Sequence, residues 1–434
     1  MLLSLTRYSL YALLIFTPLA AGSVQGWAIS VIHMVTLLAL SAFLLEKSLK
    51  WNWKWIKTPL DIPILCLIVF CLISSFFSVQ RYTSIWSFIL LLNYIIIYYL
   101  IIQTFNTRER LRHLIGVIII VAAFLSFFGI VKKFGANPFP WWNYDNGLNP
   151  DLAVSSSTFG NPNHFAGYLS MAIPLLLGLF FTGINGGKLF LSVLLTLLMT
   201  VALIFSISRG GWVSTAVGLA FMIAALLINQ YLKSKTIVLI ALVGLFFLTF
   251  VALSNRPVIQ EMLTVKQASK DASLQSRILV WHKTIDMIRD YPWLGTGPGT
   301  FSTMFTQYQP PGFTARFFRA HNDYLHFISE TGIPLIIIMA WMIAALYLKG
   351  ITKLANPSRL IRGTTLGAMS GITALLFFSI FDFNLHIPAN AILFTVLAAI
   401  VVSPIPKPSD QMTGQRSEDR RQKAEIKIQR TEVG

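Results

Sequence analysis

Residues 188–229 read KLFLSVLLTLLMTVALIFSISRGGWVSTAVGLAFMIAALLIN, and between Leu189 and Asn229 the sole ionisable side chain is Arg209. As one helix this run would be about 60 Å long, roughly twice the hydrocarbon thickness of a bilayer. It must therefore break. The break falls at SISRGGW, where Gly210 and Gly211 permit a tight turn and leave Arg209 at the shared end of two antiparallel spans. A cation there is costly unless solvated or paired. Arg209 is either a snorkelling residue that marks the interface or a residue that binds an anion.

The same texture continues outward in both directions. The 434 residues are 55% hydrophobic and 12% charged, too little polar surface for a soluble globule of this length. Apolar blocks fall at roughly 8–24, 27–45, 60–79, 85–104, 111–131, 164–182, 188–207, 210–229, 236–254, 322–348, 361–381 and 386–403, each long enough to cross a bilayer as a helix. The expected fold is all-α: a polytopic membrane protein of about twelve transmembrane helices with a long, helical outer loop. Arg7, an apolar stretch and then Ala20, Ala21 and Gly22 also have the form of a signal peptide. With so many spans behind it, this block reads as an uncleaved first span. Cys66 and Cys71 point to different sides of one helix and read as packing residues, neither a disulfide nor a metal site.

Basic residues set the orientation. Lys47, Lys50, Lys54 and Lys57 follow the second span, Arg108, Arg110 and Arg112 the fourth, and Lys349, Lys353, Arg359 and Arg362 a later one. Even-numbered connections and both termini are thereby assigned to the cytoplasm. The net charge of +17 is topological in this reading. Its basic residues are scattered between apolar blocks, and the absence of a basic stripe interleaved with aromatics argues against a nucleic-acid partner. The chain divides into N-terminal transmembrane helices (1–131), an outer loop (132–163), transmembrane helices (164–254), a long outer loop (255–321), C-terminal transmembrane helices (322–403) and a polar cytoplasmic tail (404–434). No internal repeat relates the halves, which weakens the case for an inverted-repeat transporter.

Long ordered loops usually carry function. In the second outer loop, Asp271 to Asp290 is patterned as a helix that Pro292 ends, with Arg277, Trp281, Thr284 and Ile288 on one face. Arg277 is either a second site arginine or a solvated charge. GTGPGTF follows; it lacks the Gly-Lys-Ser/Thr ending of a nucleotide loop, so Gly295, Gly297 and Gly299 read as turn residues. Next, RAHNDYLHFISETGIP crowds His321, Asn322, Asp323 and Glu330 at the start of an apolar span. His321 can act as a general base near neutral pH, or it can cap and pack. Asn322 and Asp323 can cap a helix, and Glu330 shares a face with Asp323, a pair that can hold a cation. His164 with Asn163, in FGNPNHFAGY, and His386, in FDFNLHIPAN, stand at span ends beside asparagines able to bond sugar or phosphate. Of the other histidines, His33 and His113 are isolated, whereas His282 and His326 are assigned to solvent or the interface.

SRGGW, RILVWHKTIDMIRDYPWLGTGPGTF and AHNDYLHFISETGI, in that order on a twelve-span chain, resemble the O-antigen ligase superfamily, which includes O-antigen polymerases and pilin oligosaccharyltransferases. The resemblance spans roughly residues 155–390. It implies a GT-C-like glycosyltransferase that moves a glycan from undecaprenyl diphosphate to an acceptor, without nucleotide sugar, at the periplasmic face of the bacterial inner membrane. By the same resemblance Arg209 and Arg277 hold the lipid diphosphate and His321 activates the acceptor hydroxyl. Asn322, Asn163 and His164 are assigned to substrate binding from their positions at the span ends. The implied partners are the undecaprenyl-diphosphate-linked glycan, lipid A core or another glycan or protein acceptor, and membrane lipid.

Elementary chemistry agrees with such roles. A polyprenyl diphosphate is already a good leaving group, so the protein has chiefly to bind its growing negative charge and to deprotonate a hydroxyl. Guanidinium offers a planar fork to two oxygens at once and stays charged. No cofactor and no metal are expected. The first outer loop, around GSVQGW, has no acid, and Asp145, Asp286, Asp323 and Glu330 form no close DxD pair. Ligation is the leading reading; polymerisation of O-antigen or exopolysaccharide is the alternative within the same chemistry. A transporter or flippase is the alternative of another class, and would show ionisable groups at mid-membrane depth. Here the polar groups gather at the outer ends.

Overall fold

The computed structural model describes residues 1–51, 53–135, 155–228, 244, 272–309 and 316–404. These residues form α-helices and no strand, as the hydropathy pattern requires: α1 (Leu2–Leu19), α2 (Gly26–Leu49), α3 (Asp61–Phe76), α4 (Arg81–Thr104), α5 (Arg108–Lys133), α6 (Pro162–Phe180), α7 (Gly187–Phe205), α8 (Arg209–Ile228), α9 (Ala272–Asp290), the short α10 (Phe301–Met304), α11 (Asp323–Thr331), α12 (Leu335–Leu354), α13 (Arg359–Phe378) and α14 (Pro388–Val402). Among the described residues nine helices are long and apolar enough to span a bilayer, and α3 and α14 are shorter apolar helices. The chain is a multi-pass membrane protein. The expected span at 236–254 lies outside the described residues except for residue 244, as do most of the loop expected at 132–163, the beginning of the loop at 255–321 and the tail.

Two boundaries differ from expectation. The 188–229 run does break before Arg209, but the glycines do not make the turn. Ile207 takes the positive φ, at 52°, while Gly210 and Gly211 sit in the first turn of α8. A Cβ on Gly210 would press on the Phe378 ring, and one on Gly211 on the Ala166 methyl, so their smallness brings α8 against α6 and α13. The block expected as one span at 322–348 is two helices. Gly332 (φ 90°) and Pro334 end α11 after nine residues and start α12 on a new axis.

Helices α6 and α13 form the centre. Their apolar windows are 89% and 83% buried, against 17% to 56% for the other spanning helices. Gly363, Gly367 and Gly371 recur every four residues along α13, and a Cβ at any of them would strike the α6 backbone at Gly178, Leu175 or Met171. Lipid tails are as apolar as leucine, so close backbone packing of this kind drives association within the bilayer.

The long loop that contains α9 and α10 builds its own small core. Val280 and Met287 of α9 pack with Phe301, Met304, Phe305 and Ala320. This module is fixed to the bundle at the α3–α4 connection, where Val79 donates its N–H to the Thr296 carbonyl (3.1 Å) and the Ser74 and Ser78 hydroxyls donate to Leu294 and Thr296. Gly295, Gly297 and Gly299 all have positive φ and are turn residues as expected. Their loop does cradle an anion, but one of the protein's own: the Glu330 carboxylate accepts the N–H groups of Gly299 (2.8 Å) and Phe301 (2.9 Å).

Candidate active site

The turn that joins α13 to α14 gathers the candidate residues. Phe378 ends α13 and Pro388 begins α14, leaving a connection in which the Phe381 carbonyl accepts a hydrogen bond from Arg277 Nη1 (2.9 Å). Asp382 Oδ1 lies 3.4 Å from His321 Nδ1. Phe383 stands edge-on to both His321 and His164, with ring centroids 5.0 and 4.9 Å away. The expected face of α9 is realised: Arg277 reaches this turn, Trp281 donates to the Ala320 carbonyl (3.0 Å), and Thr284 and Ile288 are buried.

Asp382 was not among the residues singled out from the sequence, yet it is the acid that faces the candidate base. Its side chain is 2% exposed, while that of His321 is 34% exposed. Burial pushes the Asp382 carboxyl up, but His321 and the Arg277 guanidinium, with His164 beyond them, bring it below the usual carboxylate range. It is therefore ionised at neutral pH. Oδ1 also accepts the Phe383 N–H (2.9 Å), whereas Oδ2 has no hydrogen-bond partner among the described residues. The separation from His321 is long for a hydrogen bond; contacts of this kind often tighten only with substrate bound. A signal did exist, since Asp382 is the only acid between Glu330 and Asp410.

His321 has φ 51°, a left-handed backbone that costs a non-glycine residue roughly 1 kcal/mol or more. Its neighbours hold it there. Ala320 is buried, with its N–H on His326 Nδ1 (3.3 Å) and its carbonyl on Trp281. On the other side, Asn322 caps α11 by accepting the Leu325 N–H (3.0 Å), as expected, and the Asp323 N–H donates to the Ser379 carbonyl (2.8 Å). Asn322 is thus engaged in the helix cap.

Arg209 begins α8 at the same end of the bundle. Ser208 before it donates to Asn163 Oδ1 (2.7 Å), and Gly210 after it abuts Phe378. Asn163 therefore ties the start of α6 to the start of α8. His164 is buried against Phe383; its carbonyl accepts from Asn390 Nδ2 (3.0 Å), and its own Nε2 has no hydrogen-bond partner among the described residues.

A second Asp–His pair interlocks with the first. Asp323, two residues after His321, accepts from His386 Nδ1 (2.6 Å), the Ser379 hydroxyl (2.8 Å) and the Leu385 N–H (3.0 Å). Asp323 does not cap α11 with its side chain, nor does it share partners with Glu330. His326 is likewise not at the surface: it is fully buried, stacked on Phe301 (4.5 Å) and 4.1 Å from the His386 ring. His326, Glu330 and His386 come within 4.8 Å of one another through potential ligand atoms. The hydrogen bonds oppose a metal, however. The Ala320 N–H occupies the lone pair on His326 Nδ1, which places the ring proton on Nε2, where it donates to Glu330 Oε1 (3.2 Å). Burial holds His326 neutral, down to about 3, while His326, His386 and the Gly299 amide overcome the burial of Glu330 and keep it ionised, at about 2.

Residues 194–340, about a third of the chain, match the family described as O-antigen ligase. Over this segment the chain is similar to that family. No curated protein matches it. The matched segment contains Arg209, Arg277, His321, Asn322 and Glu330 but stops before Asp382 and His386, and it begins after Asn163 and His164. The match supports membrane glycosyltransferase activity of the O-antigen ligase or polymerase type.

Proposed function

We propose that this protein transfers a glycan from undecaprenyl diphosphate to an acceptor hydroxyl at the periplasmic face of the bacterial inner membrane, ligating O-antigen or a similar polysaccharide to lipid A core. The observation that carries the reading is the meeting of Arg277, His321 and Asp382 on one turn. With Nδ1 turned to Asp382, His321 presents Nε2 to take the proton of the acceptor hydroxyl. The acceptor oxygen then attacks the anomeric carbon, the carbon–oxygen bond to phosphate breaks, and the diphosphate departs with the bonding electrons. Arg277 and Arg209 bind the charge that grows on the departing oxygens. Asp382 attracts the imidazolium that forms, the role of the acid in a Ser-His-Asp triad. No metal enters these steps. Asn163 acts through Ser208 by setting the start of α8, and Asn322 through its cap on α11.

The test is the purified protein in proteoliposomes with undecaprenyl-diphosphate-linked glycan and lipid A core. Release of undecaprenyl diphosphate with a lipid A-linked product is expected. Longer lipid-linked chains would instead assign a polymerase. Glycan crossing the bilayer with no undecaprenyl diphosphate released would overturn the enzyme reading in favour of a flippase.

A further inference from the structure

We propose that Asp323 and His386 are a positioning pair for the transfer reaction: their hydrogen bond, with the bonds that Asp323 makes to Ser379 and Leu385, holds His321 against Asp382. The inference rests on the function proposed above and assigns a part to two residues left without one.

His321 and Asp382 are held by different parts of the chain. Asp382 belongs to the end of α13, because its N–H and that of Phe381 both donate to the Phe378 carbonyl (3.1 and 2.9 Å). The Phe381 carbonyl, which receives Arg277, is fixed by the same turn. His321 instead comes from the loop segment before α11 and has a strained left-handed backbone. Its distance to Asp382 therefore depends on how that segment is docked onto α13.

Asp323 does the docking. It lies two residues after His321, within about 7 Å of it along the chain, and is fully buried. Its N–H donates to the Ser379 carbonyl (2.8 Å) and its Oδ2 accepts the Ser379 hydroxyl (2.8 Å), a reciprocal contact with the residue that caps α13. Oδ2 also accepts the Leu385 N–H (3.0 Å), and Oδ1 accepts from His386 Nδ1 (2.6 Å). Both ends of the α13–α14 connection thus converge on one side chain. A carboxylate suits this place because it accepts at both oxygens, whereas an amide would turn N–H groups toward one set of donors.

His386 closes the clamp. Its ring stacks on Phe327 of α11, with centroids 4.5 Å apart and planes 18° from parallel. Among the described residues Asp323 is the hydrogen-bond partner of the ring, and Nε2 has none. At 2.6 Å this bond is much shorter than the 3.4 Å between His321 and Asp382. The clamp is formed in the free protein, and the catalytic contact is left to tighten with substrate. Tyr324, next in the chain, ties α11 to α13 elsewhere: its hydroxyl donates to the Leu376 carbonyl (2.7 Å), away from the connection.

The experiment is a double-mutant cycle on turnover, with undecaprenyl diphosphate release from proteoliposomes as the rate, binding of undecaprenyl diphosphate as the measure of the donor site, and thermal unfolding as the check on folding. His386→Phe keeps an aromatic ring for Phe327 and removes the bond to Asp323; kcat is expected to fall about ten-fold, the size of a coupling within one network, with donor affinity within about two-fold of native. Asp382→Asn, worth about 30-fold in the native protein, should cost only about three-fold in the His386→Phe background. His386→Asn retains an N–H at the place of Nδ1 and should recover most of the turnover. Tyr324→Phe should leave both kcat and the Asp382→Asn effect near native. Additive losses in His386→Phe and Asp382→Asn, or an equal loss in Tyr324→Phe, would mean general loosening of α11 and overturn the inference. Native kcat in His386→Phe, with His321→Ala inactive, overturns it too and leaves the base and donor assignments standing. If His321→Ala turns over like the native protein, both fall. Should His386→Phe fail to fold, Ser379→Ala, which removes one of the bonds to Asp323, decides by the same cycle: additivity with Asp382→Asn overturns the inference and coupling supports it.

Discussion

Asp382→Asn isolates the acid from the rest of the site. Asparagine has the same shape and can still accept the Phe383 N–H, so the turn is preserved while the charge 3.4 Å from His321 disappears. Two unit charges at that distance attract by about 5 kcal/mol at an effective dielectric constant of about 20. The imidazole is 34% exposed, and water screening of such a group leaves less than half of this, about 2 kcal/mol. The attraction exists only once His321 has taken the proton, so its loss falls on turnover and not on ground-state binding. The kcat should drop about 30-fold at 1.4 kcal/mol per decade. Donor affinity should hold or improve, because Arg277 no longer shares its charge with Asp382. The assay is undecaprenyl diphosphate release under single-turnover conditions, with a donor titration. A well-folded Asp382→Asn protein with native kcat would refute the pairing, and a rise in donor KM with kcat unchanged would place Asp382 in binding instead.

His321→Ala should remain folded and lose about 10² to 10⁴-fold in turnover while still binding undecaprenyl diphosphate; native turnover ends its assignment as the base. Arg277→Lys keeps the charge and loses the fork, so donor affinity should fall about ten-fold, and near-native binding would reduce the residue to a point charge. Acid should destabilise the fold through His326. The unfolded chain protonates this histidine at its ordinary 6.5, whereas the buried ring stays neutral to about 3; the unfolded state therefore binds more protons across that window, and stability falls as pH drops through it, by at most about 1.4 kcal/mol per unit. Glu330, ordinarily 4.5 and held near 2, adds a further fall below 4.5. His326→Phe should flatten the dependence of melting temperature on pH between 6.5 and 5, and parallel curves for variant and native protein would contradict this. Transfer should continue in excess EDTA; arrest by chelation and rescue by magnesium or manganese would return attention to His326, Glu330 and His386.

The spans were legible because a bilayer imposes a length and a composition on each helix independently of its neighbours. Local rules also carried well: Asn322 caps α11, Arg277 and Trp281 share a face of α9, and Gly295, Gly297 and Gly299 turn the chain. What escaped were facts set by partners distant in sequence. His326 looks like any histidine on an amphipathic helix until Phe301 and His386 cover it. Asp382 sits in FDFNLH, an ordinary span end, and acquires meaning only from His321. Gly210 and Gly211 were read as turn residues because flexibility is the commoner use of paired glycines; their use here is the close approach of α8 to Phe378 and Ala166, which no local pattern announces. The α11–α12 break was visible in Gly332 and Pro334 but was hidden by the continuous run of apolar residues after them.

The two Asp–His pairs cross between the same two stretches: one stretch contributes His321 and Asp323, the other Asp382 and His386, and the second pair is 63 positions apart. Each stretch holds one histidine and one acid, so neither is a transplantable cassette. A chimera that exchanged only the segment matching the family, 194–340, would bring a new histidine to an old acid and a new acid to an old histidine. Acceptor preference borrowed from a relative by swapping the loop should therefore arrive with crippled turnover unless residues 379–386 travel with it, and substitutions at 321 and 382, or at 323 and 386, should be tolerated in pairs more readily than one at a time.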